Sequence, residues 1–236
     1  MASLPRKSAW SGLRQIAHNA RHCVNSTSLF GRLKGCNSGN SLIEFALVLP
    51  VLTTMGMYGT EIAYMASVNM EVSQMAMSIA DNSSRLGQTD NSGVTPTITE
   101  AGVNSILNGA VLEGADFNFA ANGRIVLSSL ELNPANNRQY IHWQRCKGSL
   151  AKTSEYGPTG TGLTGTTFQG MGKPGKVVTA GATTAVMFAE VTFQYQGLFG
   201  TMFTNNTTFH HEAAFLVRDD RNLTPGLTGA TVLAPC

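Results

Sequence analysis

Glu44 is the residue whose position first raises a chemical question. It lies at the start of a long apolar run, and residues 45–58 after it carry no charge. An ionisable side chain inside an apolar run is costly, and such a residue usually has a partner of opposite charge. Its position therefore predicts that the carboxylate has a partner. The alternative is that Glu44 extends its carboxylate to the lipid head groups and pairs with no protein group.

The other reactive residues do not combine into a catalytic, cofactor or metal site. Residues 170–177 nearly match a phosphate-binding loop, but Val177 stands where that motif needs a hydroxyl, so we reject nucleotide binding. His210 and His211 are neighbours in a strand-like run and would point to opposite faces, so this pair cannot readily chelate one metal ion. We assign no catalytic residue, no cofactor and no metal, and we expect the protein not to be an enzyme.

Charge is distributed unevenly along the 236 residues. The chain has 16 Lys plus Arg and 14 Asp plus Glu, a net charge of +2, and 13% charged residues, against about 25% in ordinary soluble domains. Residues 1–39 hold six of the basic residues and no acidic one, so they carry +6 while residues 40–236 carry −4. This asymmetry indicates targeting or a membrane. The acidic remainder argues against nucleic-acid binding.

The apolar run that follows the basic segment is long enough to cross a membrane. Residues 42–66 contain only two charges, Glu44 and Glu61, and a spanning helix needs about 20 mainly apolar residues. The positive-inside rule predicts a single pass with the basic side in the cytoplasm and the C-terminal part outside. An ordinary secretory signal peptide is one alternative, although the basic segment is long for one. A buried core helix of a soluble protein is the other.

Residues 39–52 read Gly-Asn-Ser-Leu-Ile-Glu-Phe-Ala-Leu-Val-Leu-Pro-Val-Leu. This stretch resembles the N-terminal signature of TadE-like proteins, which are minor pilins or pseudopilins of bacterial tight-adherence (Tad) pilus systems. The matching region extends to residue 66 and covers about an eighth of the chain. Its specific part is Gly39 followed by Glu44, Phe45 and Pro50.

The resemblance implies that a prepilin peptidase cuts between Gly39 and Asn40 at the cytoplasmic face of the bacterial inner membrane. Glu44 would then meet the free N-terminal amine of a neighbouring subunit, and the ammonium would make a carboxylate tolerable in a helix bundle. Phe45 and Pro50 belong to the same assembly segment, and Pro50 removes one helical hydrogen bond. The implied partners are other pilin-like subunits and the Tad inner-membrane machinery, in a homo- or hetero-oligomer formed through the N-terminal helix.

Hydrophobic periodicity predicts one long helix over residues 42–85 and a short one over residues 98–110. Four strand-like segments follow, at residues 123–132, 139–146, 183–196 and 209–218. In the second segment, Ile141, Trp143 and Arg145 are predicted to share one face. The expected fold is α+β, a long transmembrane and projecting helix followed by a small antiparallel-sheet head, as in pilins. The expected domains are a basic leader (1–39), the helix (40–86) and an extracytoplasmic domain (87–236).

The four cysteines divide between the two sides of the membrane. Cys23 and Cys36 lie in the leader and would be lost on cleavage. Cys146 and Cys236 lie in the outer, oxidising compartment, where one disulfide would close a loop of about 90 residues. Free or intermolecular thiols are the alternative.

Residues 148–181 are rich in Gly and Thr and show no clear element. A loop this long is often mobile or functional; mobility is favoured, with an adhesive or partner-binding surface as the alternative. For the whole chain we expect a Tad-type minor pilin or pseudopilin. The alternatives are an uncleaved single-pass scaffold of a pilus or secretion machine and a membrane-anchored extracytoplasmic enzyme.

Overall fold

The computed structural model describes residues 38–87, 95–165, 167–218 and 221–236, with side chains from Leu42 onward. The chain divides into two compact units, Met1–Tyr58 and Gly59–Cys236. One helix, α1 (Ser38–Ser84), contributes residues to both. Its bounds agree with the helix predicted over residues 42–85. Most of the predicted leader, with Cys23 and Cys36, lies outside the described residues.

Within the second unit, α1 buries one stripe of side chains. Val68, Val72, Met75 and Ile79 are almost fully buried, and their spacing of three and four residues is that of one helical face. The helix has no basic residue in its last turn. Instead Arg221, from far along the chain, donates hydrogen bonds to the carbonyl oxygens of the last turn and the residues just after it, Ser83, Ser84 and Leu86, which would otherwise lack helical donors.

A second helix, α2 (Glu100–Glu113), follows a two-residue strand, β1 (Ile98–Thr99). The Thr99 hydroxyl accepts a hydrogen bond from the Gly102 amide at 3.1 Å, which makes it an N-cap that starts the helix. The helix predicted over residues 98–110 was therefore right in type, but Ile98 and Thr99 pair in parallel with a late strand, β6 (Leu227–Thr228). A 3₁₀ turn (Ala115–Phe117) and a short helix, α3 (Phe119–Asn122), lead into the sheet.

The main sheet has four antiparallel strands in the order β3-β2-β4-β5. They are β2 (Gly123–Asn133), β3 (Arg138–Lys147), β4 (Val186–Gln194) and β5 (Thr208–Leu216). Each coincides with one of the four predicted strand-like segments. One face of the sheet joins α1 and α2 in the main hydrophobic core. The structure therefore confirms an α+β protein with a long N-terminal helix and a small antiparallel head.

Residues 148–181 cover the opposite face of the sheet. Met171 is fully buried there, in a second apolar cluster with Leu130 and Phe188. Two hydrogen bonds fasten the segment to β3: the Gln139 amide donates to the Ala180 carbonyl at 2.9 Å, and the Ala180 amide donates to the Gln139 side chain at 2.7 Å. This packing argues against the mobile loop that the composition favours.

The predicted alternation of β3 was wrong in one respect. Ile141 lies in the cluster under residues 148–181, while Trp143 lies in the main core on the helix side. The cause is a β-bulge: Trp143 pairs with Ser129 and Ile141 pairs with Leu130, so one residue of β3 is skipped. An extra residue in one strand moves the side chains beyond it to the opposite face of the sheet. Of the three residues, only Trp143 and Arg145 lie on the helix-facing side.

Candidate functional site

The first unit presents an apolar helical surface. From Leu42 to Tyr58 the large side chains of α1 are mostly exposed, for example Leu47 at 70% and Met55 at 72%. The helix from Leu42 onward is long and apolar enough to cross a membrane. Soluble proteins seldom expose so extended an apolar surface, and one of this size marks contact with lipid or with another protein.

The residues of the predicted processing and assembly site all lie on α1. Gly39 and Asn40 are in its first turn, and Glu44, Phe45 and Pro50 follow within the next three turns. The side chains of Glu44 and Phe45 are exposed, so both are accessible to a neighbouring subunit. The Thr54 hydroxyl donates back to the Pro50 carbonyl at 2.7 Å, and the helix continues through the proline. Cleavage after Gly39 and pairing of Glu44 with an ammonium stay predictions.

A second glutamate of the apolar run, Glu61, has a role that the sequence did not reveal. Its side chain is completely buried. The Tyr195 hydroxyl donates to its Oε1 at 2.7 Å, the Phe199 backbone amide donates to its Oε2 at 3.2 Å, and the Thr204 hydroxyl lies 3.4 Å from Oε1. Burial and the hydrogen bond to Glu61 raise the pKa of Tyr195. Glu61 therefore fastens α1 to the connection between β4 and β5.

That connection fits closely around the carboxylate. A Cβ atom added at Gly197 would lie 2.5 Å from the Gly200 carbonyl oxygen and 2.8 Å from Oε1 of Glu61. Both distances are shorter than side-chain carbons tolerate, so a glycine is required at this position. The partners of Glu61 lie 134 to 143 residues away in the chain, and no local sequence pattern could have identified them.

The two outer cysteines form a disulfide bond between β3 and the last residue, Cys236. The backbone adds to this link, because the Cys146 amide donates to the Ala234 carbonyl at 2.9 Å. The C-terminal segment is thus held along β3 by one covalent bond and by hydrogen bonding. No cysteine in the described part of the chain is a free thiol.

Polar residues gather where β4 and β5 meet residues 148–181. His210 and Glu212 lie on the same face of β5, and Nε2 of His210 is 3.2 Å from Oε1 of Glu212 and 3.8 Å from Oε2 of Glu155. The neighbouring His211 lies on the other face, where its Nε2 is 2.8 Å from Oδ1 of Asn69 on α1. The predicted separation of the two histidines is therefore confirmed. The nearness of His210 to Glu212 was not predicted, although a spacing of two residues places them on the same face of a strand.

Burial changes the acidity of several groups in this cluster. It raises the pKa of Glu190, a buried carboxylate that accepts hydrogen bonds from the Ser154 hydroxyl at 2.6 Å and the Glu155 amide at 2.9 Å. It also raises the pKa of Tyr156, whose hydroxyl donates to Glu212 at 2.7 Å. On the opposite face, burial lowers the pKa of His211. The carboxylates are thus held by hydroxyl and amide donors, chiefly from residues 154–156.

Comparisons of this chain with protein-family models, with curated proteins and with solved structures found no match. The resemblance to TadE-like proteins therefore rests on the residues of the N-terminal motif.

Proposed function

We propose that this chain is a minor pilin or pseudopilin of a Tad-type pilus system. The observation that carries the proposal is the motif Gly39 to Pro50 at the head of an exposed apolar helix, which continues into an α+β head. A pilin-like subunit needs these parts in this order. The helix holds it in the membrane before assembly and packs against other subunits afterwards. No catalytic role is part of the proposal.

In this proposal the chain crosses the bacterial inner membrane once, with its basic leader in the cytoplasm. The span ends before Glu61, because that carboxylate is buried among hydrogen-bond donors of the second unit. Residues 42–60 then cross the membrane, a length of about 28 Å at 1.5 Å per residue, close to the thickness of the hydrocarbon core. The span is thus shorter than the run of residues 42–66 that hydropathy indicates.

Processing would couple to assembly through Glu44. Cleavage after Gly39 by a prepilin peptidase leaves an ammonium on Asn40, one helical turn from Glu44. A carboxylate in a helix bundle is unfavourable alone and is stabilised beside an ammonium. The Glu44 of one subunit can therefore accept the new N-terminus of the next one. Only processed chains would assemble.

The mature N-terminus tests the first step. We expect chains extracted from membranes that contain a prepilin peptidase to begin at Asn40, as read by mass spectrometry. Gly39→Val should block cleavage, because a branched side chain would stand at the scissile bond. Gly35→Val, a matched change within the leader, should leave cleavage unaltered. Wild-type chains that keep residues 1–39 would favour the uncleaved scaffold over a pilin.

Co-purification tests the second step. Glu44→Gln should be cleaved normally but should recover several-fold less of the other pilus subunits, because the amide cannot neutralise the ammonium. Glu71→Gln changes an exposed acid on the same helix and serves as the control. Equal recovery of subunits with Glu44→Gln and wild type would contradict the pairing.

A further inference from the structure

Three side chains from two separate parts of the chain bring metal-ligating atoms together. His210 and Glu212 lie on β5, and Glu155 lies on the segment that covers the sheet. One nitrogen and two oxygen atoms, one from each residue, all lie within 4.8 Å of one another. Ligand atoms bound at 2.0–2.2 Å to a common tetrahedral or octahedral ion are about 3–4 Å apart. The separations of 3.2 and 3.8 Å from Nε2 of His210 fit that geometry.

The surrounding groups orient these ligands. Nδ1 of His210 is 2.9 Å from the Thr192 hydroxyl, so a proton on Nδ1 would leave Nε2 as the free lone pair facing the carboxylates. The Tyr156 hydroxyl donates to Glu212 at 2.7 Å, which fixes that carboxylate. Partners of this kind usually hold metal-binding imidazoles and carboxylates in position.

The charge of the cluster also favours a cation. Glu190 lies directly opposite Glu212 in the β4–β5 register, so three carboxylates converge near one imidazole. The ammonium of Lys152 reaches Glu155 at 3.3 Å, with its side chain 42% exposed. Lys173 and Lys176 line the adjoining surface pocket with His210 and Glu212. Flexible, solvated lysines screen such a cluster weakly, whereas a divalent ion between the carboxylates would neutralise it directly.

We propose that Glu155, His210 and Glu212 bind one divalent first-row transition-metal ion, of which Zn²⁺ is the representative. An imidazole with two carboxylates is a donor set that suits such ions, and three protein ligands leave a position for water. Ca²⁺ prefers six to eight oxygen ligands and should bind more weakly. The bound ion would tie residues 154–156 to β5. This proposal does not rest on the proposed pilin function.

Isothermal titration of the untagged full-length chain in detergent, with Cys23→Ser and Cys36→Ser to remove the thiols of the leader, tests the site with ZnCl₂ and, in a separate run, with CaCl₂. We expect one Zn²⁺ per chain, and His210→Gln and Glu212→Gln should each weaken binding at least about tenfold. His211→Gln, on the opposite face of the same strand, should bind as wild type does. Co²⁺ should give visible absorption bands of a nitrogen-ligated ion, and His210→Gln should lose them.

Glu155→Gln keeps the test decisive if the β5 variants fold poorly, because Glu155 is a surface residue with a half-exposed side chain. It should fold as wild type does, by circular dichroism, and still bind Zn²⁺ at least about tenfold more weakly. Absence of stoichiometric Zn²⁺ binding by the wild-type chain would overturn the proposal. Unchanged binding by folded Glu155→Gln or His210→Gln would overturn it as well.

Discussion

At the scale of single residues, the buried carboxylate of Glu61 makes the sharpest prediction about stability. Glu61→Gln should lower the free energy of unfolding by about 2 kcal/mol, because the amide keeps only one acceptor oxygen for the donors of Tyr195, Phe199 and Thr204. Thermal or urea unfolding of the full-length chain, followed by circular dichroism, measures the loss.

Two further variants separate this effect from a general sensitivity of α1. Glu71→Gln, at an exposed position of the same helix, should change stability by less than about 0.5 kcal/mol. Tyr195→Phe removes the hydroxyl that donates to Glu61. The double variant with Glu61→Gln should lose less free energy of unfolding than the sum of the losses in the two single variants. Strict additivity would contradict the hydrogen bond as the origin of the effect.

His142 should make stability depend on pH. Its Nδ1 lies 2.9 Å from the buried carboxylate of Glu131, and that hydrogen bond raises the pKa of His142 above its ordinary value. A raised pKa means that the folded chain holds the proton more tightly than the unfolded chain does. The stabilisation is therefore complete below about pH 6.5, the unfolded value, and is lost as pH rises through the folded value.

Comparing wild type with His142→Gln at two pH values checks this sign. Gln keeps a donor for Glu131 but carries no charge, so wild type should be more stable by up to about 1 kcal/mol at pH 5.5. The difference should shrink as pH is raised towards 8.5 and the imidazole loses its proton. A difference that grows with pH would contradict the ion pair.

The surroundings of a single residue could be predicted from the sequence only where its spacing from near neighbours in the chain decides them. The separation of His210 from His211 followed from the alternation of a strand and was right. Glu61 was read as one more charge in the apolar run, because Tyr195 and Thr204, which hold it, are far away in the sequence. The nearness of Glu155 to His210 likewise depends on how residues 148–181 cover the sheet, which composition alone does not encode.

At the scale of elements, the disulfide should be the strongest single constraint on the head. It joins positions 90 residues apart, and in the chain-entropy account closing such a loop stabilises the folded state by about 4 kcal/mol. Cys236→Ser should lower the free energy of unfolding by about that amount. Reduction of the wild-type chain should cause a similar loss and should leave the stability of Cys236→Ser unchanged. Equal stability of the oxidised and reduced wild-type chains would contradict this role.

The elements themselves were well predicted, since each has a strong local signal. The apolar stripe of α1 repeats every three to four residues, and the four main strands are rich in β-branched and aromatic residues. The bulge in β3 was missed because one extra residue leaves no compositional mark, although it moves Ile141 and Trp143 to different faces. The cap that Arg221 supplies to α1 was also missed, since local reading places helix-capping cations in the last turn.

At the scale of the whole molecule, the two ends of the chain carry net charges of opposite sign. The first 39 residues carry +6 and the remaining 197 carry −4. In the proposed orientation the positive end stays in the cytoplasm and the acidic head is exported, where the Cys146–Cys236 bond can form. A change that lowers the fraction of chains with an exported head should therefore also lower the fraction that carry the disulfide.

Replacing basic residues next to the span should disturb that orientation. The positive-inside rule acts through Lys and Arg near the ends of a span, so a leader variant with three substitutions to Gln should leave a larger fraction of chains with the head inside. The substituted residues are Arg21, Arg32 and Lys34. Protease added to spheroplasts should digest the wild-type head and spare part of the variant, and the spared chains should lack the disulfide on non-reducing gels.

An equal loss of charge from the head provides the control. Three exposed basic residues outside the leader can be changed to Gln together: Arg85, Lys173 and Lys176. This variant has the same net charge as the leader variant, but its substitutions lie in the second unit, beyond the span. It should remain fully accessible to protease and fully oxidised. If both variants were protected to the same extent, net charge rather than leader charge would set the orientation, and the N-in topology would lose its physical basis.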